Sequence, residues 1–544
     1  MTSHSVGASS AGDAQLRGPA RRNSSGSRPA LPVRVRGNRQ GRAWVRAGIF
    51  LALMTGAAAG ARPREEFTKT FQKSLSIQPG QSLSLDHKFG SVSIRTHSSS
   101  QVDITASIRV AASTQSEASS SANQINIDVR QTATGVAIQT QYPERRGGIF
   151  SGQSGISYSV DYSIVVPESA PVQVKNSFGN LTVAGLKAKA DLHDSHGSVE
   201  LTGAAGPSSV SNSFGTVKVI DINGDLTVTN QNGPIDAKNI SGGAELNTSF
   251  ASVTFYGVGG RLSVSATNSS VTGGKVGAGA FVRTTFGAVA VSDVGGNTEI
   301  QNSNGKIVVK DIRGNAILRT SFGEIEATGI SGTATVNDSN ASVRLTNVDG
   351  YAEVHSTFGR VDLSGLRQGA RVVTGNASVS LSGVNGDTYV KTSFGLVKAE
   401  HVGGSLTIEN TNGGVRGAGI KGGAEIRTSF GPVILEGVGG PVRVDSQNGS
   451  VEVSGVAARS ASGGCNGISL RTSFAPIKVA LSPEGGYNVT ARTSFGRISS
   501  ELPVTVSSTT NFQSLAGTIG KGDCELSLTN ANGSIDILKA LAKK

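Results

Sequence analysis

The stretch RTSFGEIEATGI, Arg319 to Ile330, decides the fold, because near copies of it recur at a fixed interval along most of the 544-residue chain. Its phenylalanine, Phe322, belongs to a series Phe178, Phe214, Phe250, Phe286, Phe322, Phe358, Phe394 and Phe430, with a constant step of 36 residues. Midway between them stand His196, Asn232, Asn268, Asn304, Asn340, Asn376, Asn412 and Asn448, so the unit is 18 residues, with a ring and (from Asn232 on) an asparagine alternating at one marker position. Three residues after the marker all sixteen units carry an aliphatic side chain, from Leu181 to Val451, and eight residues after it all sixteen do so again, from Leu186 to Val456. Ten residues after it, twelve of the sixteen are glycine.

Short apolar–polar alternation broken by glycine is the pattern of strands, and no stripe of helical period crosses the repeats. A fixed repeat with no insertions signals stacked supersecondary units. The fold class is therefore all-β, a parallel β-solenoid (β-helix) of about 18 residues per coil. At one strand spacing per coil, sixteen coils make a rod of about 75 Å. Each phenylalanine is expected to mark a corner and fill the end of a narrow core, the following glycine turning the backbone where a Cβ would obstruct it. The alternate asparagine is expected to bond to backbone at the same corner.

Outside the regular grid the chain divides into a basic leader (1–42), an apolar segment (43–61), an amino-terminal β cap or irregular coils (62–170), the regular solenoid (171–465) and irregular carboxy-terminal coils (466–544). Phe89 lies 89 residues before Phe178, while Phe474 and Phe495 fall off the grid at the other end, as expected where terminal repeats must close an open edge. Nine arginines and a single acid, Asp13, in the first 61 residues carry most of the net charge of +12. The remaining body is only mildly basic, a poor electrostatic footprint for nucleic acid. Ala47 to Ala61 is uncharged, basic-flanked and ends in small residues, which fits an export signal, either cleaved or retained as an inner-membrane anchor.

The repeated Ser-Phe-Gly-x-Val and Asn-Gly-x-Val coils behind such a signal resemble the bacterial putative-adhesin domain family of exported β-solenoid proteins. The likeness runs over about residues 70–540 and implies a parallel β fold, an envelope or surface location and an adhesive role. It implies no catalytic residues.

Motifs with chemical content were weighed against the repeat. Gly417 to Gly422 matches G-x-G-x-x-G but lies in strand context rather than before a helix. Asp191, His193, Asp194 and His196 are metal-ligand types with no further cluster beside them, and Asp221 to Asp225 lacks the full calcium pattern. Asp293 and Asp311 share a register on adjacent coils and form the best carboxylate pair for glycoside chemistry. Three residues before the markers runs an outward column in which Arg283, Arg319, Lys391 and Arg427 form a sparse basic stripe, a candidate surface for acidic glycans. Cys465 and Cys524 lie about three coils apart by register, some 14 Å by strand spacing, beyond the roughly 7 Å a disulfide spans unless the irregular segment around Cys465 closes the gap. The reading is a non-enzymatic exported binding rod without cofactor, its partners glycans or envelope and cell-surface components. The alternatives are a self-assembling scaffold and a polysaccharide-active enzyme.

Overall fold

A computed structural model describes residues 64–143, 155–461, 463–507 and 511–540; the leader and the apolar segment Ala47 to Ala61 lie outside them. Each regular coil contributes one strand to each of two parallel sheets. Ile325–Ile330 pairs in register with Ile307–Ile312 on one side and Val343–Val348 on the other. After a turn, Ala334–Asn337 pairs with Ala316–Thr320 and Ala352–Phe358 in the second sheet. Alternation sends Ile325, Ala327, Ala334 and Val336 inward, where each is fully buried against the opposite sheet. The solenoid inferred from the period is the fold.

One backbone device explains why the inward positions of the first strand fall three, five and eight residues after the marker. The seventh residue is left-handed in all sixteen coils: nine glycines, such as Gly329 at φ 72°, with Asp221, Asn239, Lys275, Asp293, Asp311, Asn347 and His401 between 51° and 60°. A left-handed residue in the strand shifts the parity by one, so the eighth side chain turns back into the core. Asparagine, aspartate and glycine tolerate this conformation better than other residues. Asp293 and Asp311 are therefore explained by backbone geometry rather than by paired chemistry.

Both ends reorder the chain. At the amino end the coil Ser82–Asp86 with Val92–His97 is inserted between the coil Gly135–Gln141 with Ser157–Pro167 and the first regular coil, Val172–Lys175 with Leu181–Ala184. Phe89 thereby pairs with Phe178 although it is off the sequence grid. Antiparallel strands Gln101–Ala112 and Glu65–Ser76 extend one sheet outward, Asn126–Thr132 extends the other, and a helix, Gln115–Gln124, packs on the first two. This helix was not foreseen; its N-cap is Thr114, whose Oγ1 accepts from Glu117 N–H, while the Glu117 carboxylate reaches back to accept from Ser113 N–H. At the carboxy end the last coil of the chain, Cys524–Asn530 with Ile535–Lys539, is inserted between Ile468–Thr472 with Ile477–Leu481 and Tyr487–Thr493 with Ile498–Ser500.

That insertion corrects the expectation for the cysteines. Cys524 stands one strand from the segment holding Cys465, and the two form a disulfide with Cα atoms 5.3 Å apart. Counting coils along the chain overestimated the distance because the chain does not stack in order there. The bridge closes a separation of 59 residues, so chain entropy gives it an upper stabilisation of about 4 kcal/mol. Reduction is expected to lower the urea midpoint and to raise amide exchange between residues 487 and 540, whereas a Cys465→Ser/Cys524→Ser variant should no longer respond to reductant.

Candidate functional site

The strand of the second sheet ends two residues before the marker, and the side chain there points inward although it is polar in nearly every coil. His87, Asn176, Asp194, Asn212, Asn230, Thr248, Thr284, Asn302, Thr320 and their successors to Thr493 are all buried, with Ala266 the apolar member of the regular series. Several of them cap a carbonyl of the coil below, whereas Thr428 and Ser446 bond within their own coil and Thr248 and Thr374 Oγ1 have no hydrogen-bond partner. Asn230 Nδ2 donates to Gly215 O at 2.8 Å, Asn302 to Gly287 O at 2.9 Å and Asn410 to Gly395 O at 3.0 Å, while Thr284 Oγ1 donates to Ser269 O at 3.0 Å. The reordered end obeys the same rule: Asn530 donates to Ala475 O and Thr493 to Gly533 O. Each bond satisfies a carbonyl that the turn leaves outside the ladder, worth about 1 kcal/mol net and more if left unmade.

With that side chain inside the corner, no room remains for a ring. The residue after the marker approaches the coil below so closely that a Cβ on Gly233 would lie 1.7 Å from Gly215 O. The marker therefore turns outward, which corrects the expectation that the phenylalanines fill the core. Phe178, Phe214, Phe250, Phe286, Phe322, Phe358, Phe394 and Phe430 are 42–64% exposed. The asparagine expectation is met at Asn232, Asn340 and Asn448, each of which donates from Nδ2 to a backbone oxygen of the preceding coil at 3.3 Å, but not at Asn268, Asn304, Asn376 or Asn412.

The markers form one column along an edge of the rod, and in space it is more regular than in sequence. At the amino end it starts with consecutive rings: Tyr142, Phe89, Phe178, His196 and Phe214, successive centroids 5.1, 5.4, 4.7 and 4.9 Å apart. From Asn232 onward asparagine and phenylalanine alternate. At the carboxy end Asn532 comes between Phe474 and Phe495 because its coil is inserted there, and it donates to Ser473 O at 3.1 Å as Asn448 does to Ser429 O. The sequence period left Phe89, Phe474 and Phe495 off the grid and did not single out Asn532. The motifs Phe89-Gly90-Ser91-Val92 and Asn532-Gly533-Ser534-Ile535 were the signal that they belong to it.

The basic stripe is exposed but largely neutralised. Arg319 pairs with Glu299, Lys391 with Glu409 at 3.0 Å and Arg427 with Glu425 at 2.7 Å. Hydrogen bonds from Gln301 and then Arg319 hold the Glu299 carboxyl below its usual range. Arg283 stands in register between Ser265 and Gln301. Exposed pairs of this kind add little stability. They do offset three of the stripe's four charges.

The other motifs disperse. His193 pairs with Asp191 at 3.0 Å on the sheet surface, His196 joins the edge stack and Asp194 points into the core. Asp221 accepts from Asn239 Nδ2 and Asp225 from Gly243 N–H, both at 2.8 Å. Gly417 and Gly419 lie in the strand Val415–Ile420, and no helix follows Gly422. Asp293 lies 3.9 Å from Arg313. Among the described residues the hollows are open grooves along the strands, for example that lined by Ser405, Thr407, Glu425, Arg443 and Glu525.

Asp194 is the misfit of the buried column. Neither carboxylate oxygen has a hydrogen-bond partner, and burial pushes its pKa up to about 6. The folded state thus favours the neutral acid: its penalty is absent below about pH 4, grows as pH rises through about 6 and is constant above. Asp194→Asn supplies the donor its neighbours use. It is expected to stabilise the protein at pH 7.5 by about 1–3 kcal/mol, and the gain should shrink toward zero by pH 4 in thermal unfolding followed across that range.

No protein-family model matches the chain, and no curated protein does. Among solved structures, the chain is similar to a "putative cell adhesion protein" from Clostridium sporogenes ATCC 15579 at 8% identity and a TM-score of 0.13, over 87% of this chain and 100% of that one. It is also similar to a "putative lipid binding protein" from Parabacteroides distasonis ATCC 8503 at 9% identity and a TM-score of 0.16, over 59% and 96%. Likenesses this distant carry no argument about activity.

Proposed function

We propose that this chain is a non-enzymatic, exported binding rod of the bacterial cell envelope, an adhesin-type module whose contact edge is the marker column. The observation that supports this most is the column itself. Monomeric proteins rarely keep large apolar patches in water unless the patch binds something, and here half-exposed rings recur in every second coil of the regular solenoid. The open grooves favour contact over turnover, since splitting carboxylate pKa values needs a walled site. Glycans or envelope and cell-surface components are the partner classes, and the neutralised stripe favours uncharged ones over acidic ones. Both ends carry antiparallel cover strands, and the outermost at the amino end, Glu65–Ser76, is rich in charge. Charged cover strands disfavour end-to-end polymerisation.

Cell fractionation with protease shaving, followed by amino-terminal sequencing, tests the reading. A mature chain starting near Arg62 and digested on intact cells is expected. An intact amino terminus in the inner membrane, protected from protease, would contradict surface contact.

A further inference from the structure

We infer that the edge column is a homotypic interface: two copies of this chain lie side by side, and the phenylalanines of each insert into the gaps opposite the asparagines of the other. The inference rests on the reading of that edge as a contact surface and names its partner.

The geometry of the gaps comes from the column's own two halves. Where every rung is a ring, at Phe178, His196 and Phe214, the rings stack at 4.7 and 4.9 Å with planes within 18° of parallel. This is about one strand spacing, so the corner accommodates a ring on every coil. The fold therefore does not require the asparagines. From Phe214 to Phe495 a ring stands on every second rung only, and two strand spacings, about 9.6 Å, separate neighbours. That interval exceeds the observed stacking distance by one more rung. Each asparagine, shorter than a ring and in Asn232, Asn340, Asn448 and Asn532 tied to the backbone, thus leaves a gap one ring thick above it. A partner that fills the gaps needs rings at the same two-coil period over the same length. The same column on a second copy has that period by construction.

The alternation is also kept where the chain order is not. Inserting the last coil puts Asn532 between Phe474 and Phe495, so the spatial pattern survives a break that a mere duplication of sequence units would not respect. The borders of the column permit close approach of identical copies. The residues just before the markers, from Ser177 to Gln447, are serine, threonine, glutamine or glycine throughout. On the other side the charges are Lys306 and Glu324, 3.1 Å apart, Arg360, 2.7 Å from Asp362, and at the far end Arg497, which lies over the Phe512 ring. Like copies therefore meet with little net charge along this edge. Nine rings lie between Phe214 and Phe495 inclusive, and removing about half of each ring's surface from water gives roughly 900 Å² per copy. The total, about 1,800 Å², is the size of a stable interface.

Sedimentation of the purified mature chain over a wide concentration range tests the inference, with thermal unfolding run alongside to confirm that each variant folds. Wild type is expected to dimerise, and Phe322→Asn with Phe358→Asn should weaken the dimer at least tenfold. The discriminating variant is Asn340→Phe with Asn376→Phe, which fills two gaps with rings the corner is seen to tolerate. Interdigitation predicts weaker pairing for it; a nonspecific apolar strip predicts stronger pairing, and that result would overturn the inference. A wild-type chain that stays monomeric, or one that instead binds uncharged oligosaccharides through the same rings, would overturn it too while leaving the binding-rod reading intact. An intact amino terminus in the inner membrane, protected from protease, would by contrast remove the surface-contact reading without touching the dimer.

Discussion

The rod depends on how each coil closes its corner. Parallel strands satisfy one another coil to coil, but the turn at the marker leaves a carbonyl facing inward, where an unpaired acceptor is costly. In many coils a buried asparagine or threonine from the next coil donates to it, as Asn230 does to Gly215 O and Thr392 to Ala377 O. Because that side chain occupies the inside of the corner, the marker must face water. The buried side chain at this position, hydrogen-bonded to the coil below in many coils, thus couples the inside of the corner to the exposure of the edge. The chemistry of the edge follows from the chemistry of the core.

The ends show that this is a rule of space rather than of sequence. His87 and Asn176 hold the buried position in coils that are neighbours in the rod and 89 residues apart in the chain, and Asn530 holds it in a coil inserted out of order. His87 is buried enough for its pKa to fall to about 4, so it remains neutral and polar in a position that elsewhere mostly takes an amide or hydroxyl. The disulfide ties the out-of-order coil at the carboxy end to the segment beside it.

Much of this was legible in the chain. The recurrence of an aliphatic residue three and eight positions after each marker gave the coil length and the two-sheet core, since only stacked equivalents would keep both so strictly. The orientation of the rings was not legible, because strand parity carried through the turn points the marker inward, and only the close approach at Gly233 and its equivalents shows that parity fails there. The left-handed seventh residue could have been read from the run of Gly, Asp and Asn at one register, which would have explained Asp293 and Asp311 without chemistry. The disulfide was hidden by the reordered end: register along the chain measures distance only while coils stack in sequence. The short helix announced itself through Thr114 and Glu117 alone, without an apolar stripe.

The account makes the marker edge the surface through which this rod meets its partner, and in vivo photo-crosslinking beside that edge tests it most directly. A photoreactive residue in place of Ser321, next to Phe322, should capture a second copy of the chain through residues of its own column. The same group in place of Lys310, on the outward face of the first sheet, should not. Equal capture from both positions, or none from Ser321, would contradict the account.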